Sequence, residues 1–189
     1  EDVVRIMSIH KSKGLEFPVV IVAGCGKRFN MMDLNSSILL HQDLGFGPDY
    51  VDYKRRISYT TPPKHALRYK MRLEALSEEM RILYVAFTRA REKLIITGTV
   101  KDIGKTVSSW LRCASVDGLK LKEYDILRAK CYFDWIGPCI VRHKDCHMLR
   151  QKAAVSSDGF SCLDDSSKWH VRLWSKRDVL IEKEKAEKE

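Results

Sequence analysis

Two periods of apolar and polar residues alternate along the first hundred positions. Val3-Val4-Arg5-Ile6-Met7-Ser8-Ile9 reads as a strand, and Val19-Val20-Ile21-Val22-Ala23 is a continuous apolar run of the sort buried on both faces of a parallel sheet. Between them lies His10-Lys11-Ser12-Lys13-Gly14-Leu15-Glu16-Phe17-Pro18, whose charges and glycine need a reason for sitting between two buried strands. Loops at the carboxyl ends of strands form the ligand crevice in open α/β sheets, which makes His10 to Glu16 a candidate site. From Asn30 to Pro63 the breakers Gly45, Gly47, Pro48 and Pro62-Pro63 predict a surface excursion or hairpin.

Helical spacing follows over about His65 to Ser77, with Leu67, Met71 and Leu76 facing inward. Ser77 reads as the cap of a second helix, about Glu78 to Arg91, that buries Met80, Leu83, Tyr84, Phe87 and Ala90. Its other face carries Arg81, Thr88 and Glu92, with Arg89 beside them, and an arginine so placed suggests a guanidinium held for an anion such as a phosphate. Lys93 to Thr99 returns as a strand. Beyond it Thr106 to Ala114, Leu127 to Ile136 and Cys139 to Leu149 are predicted helices, Ser156 to Ser167 a polar loop and Trp169 to Trp174 a short strand. Glu182 to Glu189 is a charge run, read as a frayed helix or tail. The class is α/β: a parallel sheet with flanking helices, then a helical connector.

At 189 residues, 44% of them hydrophobic, the chain can bury one good core or two small ones. No stretch approaches the roughly 20 apolar residues of a membrane span, and the start Glu1-Asp2 has no signal-peptide pattern, so the expectation is a soluble, cytoplasmic protein without a membrane partner. Six cysteines (Cys25, Cys113, Cys131, Cys139, Cys146, Cys162) are scattered with no Cys-x-x-Cys pair, which argues against a disulfide framework or zinc ribbon. Cys139, His143, Cys146 and His147 could share a helix face, but a closed zinc site usually draws on two separated pairs, and no metal site is assigned.

A formal net charge of +9 and a pI near 9.3 point to a polyanionic partner. Seven of the cations (Lys54, Arg55, Arg56, Lys64, Arg68, Lys70, Arg72) fall between Tyr53 and Leu73 with no acidic residue among them. Phosphate contact, an acidic partner surface or a solvated charged face would each account for them.

Gly98 to Gly104-Lys105-Thr106 invites reading as a phosphate-binding P-loop. Five residues separate the glycines where that motif has four, and the extra residue would disturb the series of N–H groups that cradles phosphate. A phosphate-seeking Arg89 without a P-loop is explained if the chain is one half of a split nucleotide site.

Two long stretches carry a family resemblance. Ile6-Met7-Ser8-Ile9-His10-Lys11-Ser12-Lys13-Gly14-Leu15-Glu16-Phe17 resembles motif V of superfamily 1 helicases of the UvrD, PcrA, Rep and RecB group, and Glu78 to Ala90 resembles their motif VI. Leu39 to Gly45, Tyr50-Val51-Asp52, and Ala129 to Pro138 with Arg142-His143 resemble one branch, the AddA-type helicase/nuclease subunits. The resemblance covers most of residues 3 to 150.

It implies a partial RecA-like, P-loop NTPase-type fold over residues 1–104 carrying motifs V and VI. A helical connector (105–150) and a linker and charged tail (151–189) toward a nuclease domain would follow. By the same resemblance Arg89 is an arginine finger reaching the γ-phosphate of ATP, Glu16 bonds the ribose, and Gly14 belongs to the nucleotide site. His10, Lys11, Ser12 and Lys13 lie near a single-stranded DNA path, with Arg81 and Thr88 in support. ATP and Mg²⁺ would be bound mainly by a first motor domain outside this chain, which alone should hydrolyse nothing. The implied enzyme is an ATP-dependent DNA helicase with exonuclease activity that processes duplex ends in recombinational double-strand-break repair, beside a second subunit of AddB type. The alternative is a non-catalytic nucleic-acid-binding or partner-docking module with a helicase-like core.

Overall fold

The computed structural model of the protein describes residues 3–114, 120–153 and 165–180; the predicted tail at Glu182 to Glu189, Cys162 and most of the predicted loop Ser156 to Ser167 lie outside them. The chain divides into two compact units, Glu1–Thr99 with Glu123–Phe133, and Val100–Lys122 with Asp134–Glu189. Glu123–Phe133, which the sequence reading places in the connector, packs with the first unit.

Two sheets build the first unit. Strands β1 (Phe17–Val22) and β5 (Ala90–Ile96) pair in parallel, as the apolar run predicts. Strands β2 (Ile38–His41), β3 (Gly45–Asp52) and β4 (Ile57–Thr60) form an antiparallel meander out of the predicted excursion. The α/β class holds. Two details of the sequence reading do not. Val3 to Ser8 is not a strand: no strand among the described residues pairs with it, and Ile6 is 99% exposed. Nor is β1 buried on both faces, since a sheet with one neighbouring strand leaves Val19 and Ile21 open to solvent.

A single helix α1 (Pro62–Phe87) replaces the two that were predicted. Thr61 caps it, its hydroxyl accepting from Lys64 N and donating to Pro48 O at 2.7 Å, and Pro62 and Pro63 fill the first turn, where a missing N–H costs nothing. After Pro63 there is neither glycine nor proline, so Ser77 is an exposed interior position rather than a cap. At 26 residues the helix is about 39 Å long. Its buried side chains are Lys64, Leu67, Leu76, Leu83 and Ala86; Met80 and Tyr84 are exposed, contrary to expectation.

The cation run is mostly structural. Lys64 is buried, paired with Asp49 and donating to Ser37 O at 2.9 Å; Arg68 donates to Leu34 O and Arg72 to Leu127 O. Lys70 pairs with Glu74, which also accepts from His41 Nε2 at 3.0 Å, while His41 Nδ1 accepts the backbone N–H of Asp43 and Leu44. The bonds of Lys64 to Asp49 and Ser37, and of His41 to Glu74, fasten the meander to α1. Lys64 beside Asp49, and His41 beside Glu74, hold both carboxyls below the usual carboxylate range. Depressed carboxylate pKa values contribute stability above the unfolded values near 4 and lose it as pH falls through the folded ones. The urea midpoint is therefore expected to stay level from neutral pH to about 5 and fall below about 4, with a shallower acid slope in Asp49→Asn.

In the second unit α2 (Ile103–Ala114) and α4 (Phe133–Ile140) meet where Gly137 lies against the Trp110 ring, with no room for a Cβ. Further short helices among the described residues are α3 (Glu123–Leu127) and α5 (His147–Arg150), and residues 176–180 are helical as well. Residues 169–174 form no strand, and the Trp169 N–H is taken by Asp145 Oδ2 at 3.0 Å instead of a ladder partner.

Candidate functional site

Parallel pairing brings the residues that precede β1 and β5 to one edge of the sheet. Phe17 stands opposite Ala90, and Phe17 N donates to Arg89 O at 2.9 Å. His10 to Glu16 and Thr88-Arg89 thus meet at the amino ends of the two strands. The expected crevice at a carboxyl strand end is not formed, because Val3 to Ser8 is not a strand.

Arg89 lies in the turn after α1, not on the helix. Its guanidinium donates from Nε to Val85 O (3.1 Å), from Nη1 to Leu15 O (2.9 Å) and from Nη2 to Thr88 Oγ1 (3.0 Å). The Val85 carbonyl is one of those left over at a helix C-terminus, where a cation is favoured. The Leu15 carbonyl belongs to the other motif, so one side chain bolts the two together. A guanidinium has five N–H donors, and these bonds occupy three. The other two can serve an anion, which suits a phosphate better than a lysine's point charge would. Thr88, by donating to the Tyr84 and Val85 carbonyls, is itself fixed in place.

The loop facing it is a 3-10 turn, Ile9–Ser12, followed by Gly14 at φ +83°, a left-handed backbone that a side chain rarely adopts. His10, Lys11, Lys13 and Glu16 are exposed. Ser12 is turned inward with its hydroxyl on Ile9 O at 2.7 Å, so it shapes the turn. Of the two expected supports, Thr88 touches Arg89, whereas Arg81 pairs with Glu78 at 3.5 Å on the exposed helix surface. Among the described residues no cluster of three or more His, Cys, Asp or Glu could hold a metal ion.

Some contributors were invisible in the pattern. The carbonyls of Leu15 and Val85 are backbone atoms, and no residue type marks them. Tyr132 donates its hydroxyl to Glu79 of the motif VI stretch, packs edge-on against Phe29, and is held above the ordinary phenol range by burial and then by Glu79. With Phe29 N on Lys130 O and Phe133 N on Cys25 O, this seats Ala129 to Phe133 against the first unit. Cys25 beneath it is buried, and burial pushes its thiol up to about 11. Cys25 is therefore expected to resist alkylation in the native chain and react once urea unfolds it.

The P-loop look-alike is dismantled. Gly98 and Gly104 belong to different units, and Asp102 Oδ1 takes the Lys105 N–H at the start of α2, where a phosphate would have to sit. A concavity of ≈ 360 Å³ lined by Leu40, His41, Gln42, Asp43, Met71 and Glu74 shares no residue with the Arg89 cluster.

Residues 1–101 match the family model described as UvrD-like helicase C-terminal domain. The chain belongs to that family. The UvrD-like chain is also 58% identical over 183 residues, 97% of its length, to a Clostridium botulinum protein named as an ATP-dependent helicase/nuclease subunit. A Thermoanaerobacter pseudethanolicus protein of the same name is 59% identical over 188 residues. The chain spans 14% and 15% of the lengths of those two relatives. No helix among its described residues is long and apolar enough to cross a membrane.

Proposed function

We propose that this UvrD-like domain works as part of an ATP-driven DNA helicase/nuclease that unwinds and processes DNA ends in recombinational double-strand-break repair in the cytoplasm, beside an AddB-type partner. Within it Arg89 is the arginine finger. The supporting observation is the clamp of three hydrogen bonds on its guanidinium, which orients the group in advance and leaves two N–H donors for phosphate. Bound ATP supplies the γ-phosphoryl group, held with Mg²⁺ mainly by another RecA-like domain. This chain's residues act from across the cleft: Arg89 on phosphate charge, Glu16 and Gly14 at the nucleoside end, and His10, Lys11 and Lys13 along single-stranded DNA, with Ser12 keeping the turn. Arg81 supports the motif VI helix, and Thr88 orients Arg89.

Two results test the division of labour. The purified chain alone should hydrolyse no ATP, and DNA-stimulated ATPase from it would contradict the split site. In the longer enzyme, Glu16→Ala is expected to raise KM for ATP about tenfold with kcat nearly unchanged, as loss of one charged hydrogen bond to bound nucleotide should do.

A further inference from the structure

Along β2, β3 and β4 alternate side chains turn toward α1. Leu39, Gly47, Asp49 and Thr60 form that inner face, with Leu39 only 2% exposed. The outer face carries Leu40, Phe46, Tyr50 and Tyr59, all exposed; Phe46 is 65% open to solvent. Leu40 stands directly opposite Phe46, and Tyr50 opposite Tyr59, whose rings stack at 4.8 Å with 29° between their planes. Monomeric proteins seldom expose a continuous apolar and aromatic surface without a use for it.

Charge narrows that use. The β3–β4 turn, Tyr53-Lys54-Arg55-Arg56, adjoins the tyrosine pair and carries three cations of the basic run; the other four lie on α1, where Lys64, Arg68 and Arg72 bond to packed carbonyls and Lys70 pairs with Glu74. On the outer face of the strands the acidic residue is Asp52, which accepts the Lys54 and Arg55 N–H at 2.9 and 3.0 Å and pairs with the exposed Arg55 guanidinium at 4.0 Å, so its carboxylate shapes the turn. Flat exposed rings beside three cations match a ligand that has flat rings and regularly spaced anions.

We infer that the outer face of the meander and its β3–β4 turn bind single-stranded nucleic acid, with bases stacking on Tyr50, Tyr59 and Phe46 and phosphates on Lys54, Arg55 and Arg56. The surface is separate from the Arg89 cluster and does not depend on its reading.

Fluorescence anisotropy of labelled oligo(dT) with the 189-residue chain tests this. The background is Lys11→Ala/Lys13→Ala, so that the loop before β1 contributes nothing. Tyr50→Ala/Tyr59→Ala should weaken binding about tenfold or more, and Tyr59→Phe should not, because stacking needs the ring and not the hydroxyl. Lys54→Ala/Arg55→Ala/Arg56→Ala should lower the slope of log K against log salt by about two, at roughly 0.7 per phosphate on a single strand. Both tyrosines are exposed, and unchanged thermal melting of the variants will separate lost binding from lost folding. Unchanged oligo(dT) affinity in the tyrosine variant overturns the inference. So does sedimentation showing that the variant loses self-association while DNA binding stays intact, which would make the face a protein contact.

Discussion

Replacing Arg89 by alanine in the full-length enzyme is expected to leave ATP binding within about threefold of wild type and to cut turnover by about 10³ or more. Phosphoryl transfer develops charge on the γ-phosphate that a positioned guanidinium stabilises, while ground-state binding is carried elsewhere in the split site. Arg89→Lys is expected to recover little. A lysine cannot make the bonds to Leu15 O, Val85 O and Thr88 Oγ1 and still present two donors in a plane. Losing those bonds also frees the Leu15 carbonyl from the motif VI turn, leaving the backbone bond from Phe17 N to Arg89 O as the link between the two stretches, and unwinding should fail together with the hydrolysis that drives it. Equal turnover by mutant and wild type would remove Arg89 from the mechanism.

Gly47→Val is expected to destabilise the chain by about 3 kcal/mol, read from the urea midpoint. A Cβ at Gly47 would lie 2.7 Å from Lys64 Cα and 2.9 Å from Lys64 N, so the obstruction is helix backbone and cannot rotate away. Strand β3 and α1 would have to part, opening the seat of the Lys64–Asp49 pair and the cover over Leu39. A change under about 0.5 kcal/mol would mean that the meander is not seated on α1 in this way.

Gly47 shows why parts of this fold were hard to read. As a residue type it signals a break, yet here it sits inside a strand because another backbone comes close, and only tertiary packing tells the two apart. Ser77-Glu78-Glu79 has the chemistry of a helix start, but those residues are also tolerated on the outside of a helix that simply continues. Lys64 belongs to a run of cations in sequence and to a buried pair in space. The apolar stretch Val3 to Ile9 has strand composition but no partner strand among the described residues, and a lone strand has no ladder to stabilise it. What was legible was local: the strands near Val19 and Lys93, the motif stretches and the faulty P-loop spacing. The meeting of Thr88-Arg89 with Leu15-Glu16 followed once β1 and β5 were paired, whereas the carbonyls that aim Arg89 needed coordinates.

The proposed split site has Arg89 act on the transition state rather than on bound ATP, and everything else proposed for it turns on that. Its most direct test compares, for wild type and Arg89→Ala in the full enzyme with single-stranded DNA, the affinity for a non-hydrolysable ATP analogue and for ADP with aluminium fluoride, which imitates the transferring phosphoryl group. The expected result is analogue affinity changed by no more than about threefold and aluminium fluoride affinity lowered by about 100-fold or more. Equal losses for both ligands, or no loss for either, would contradict it.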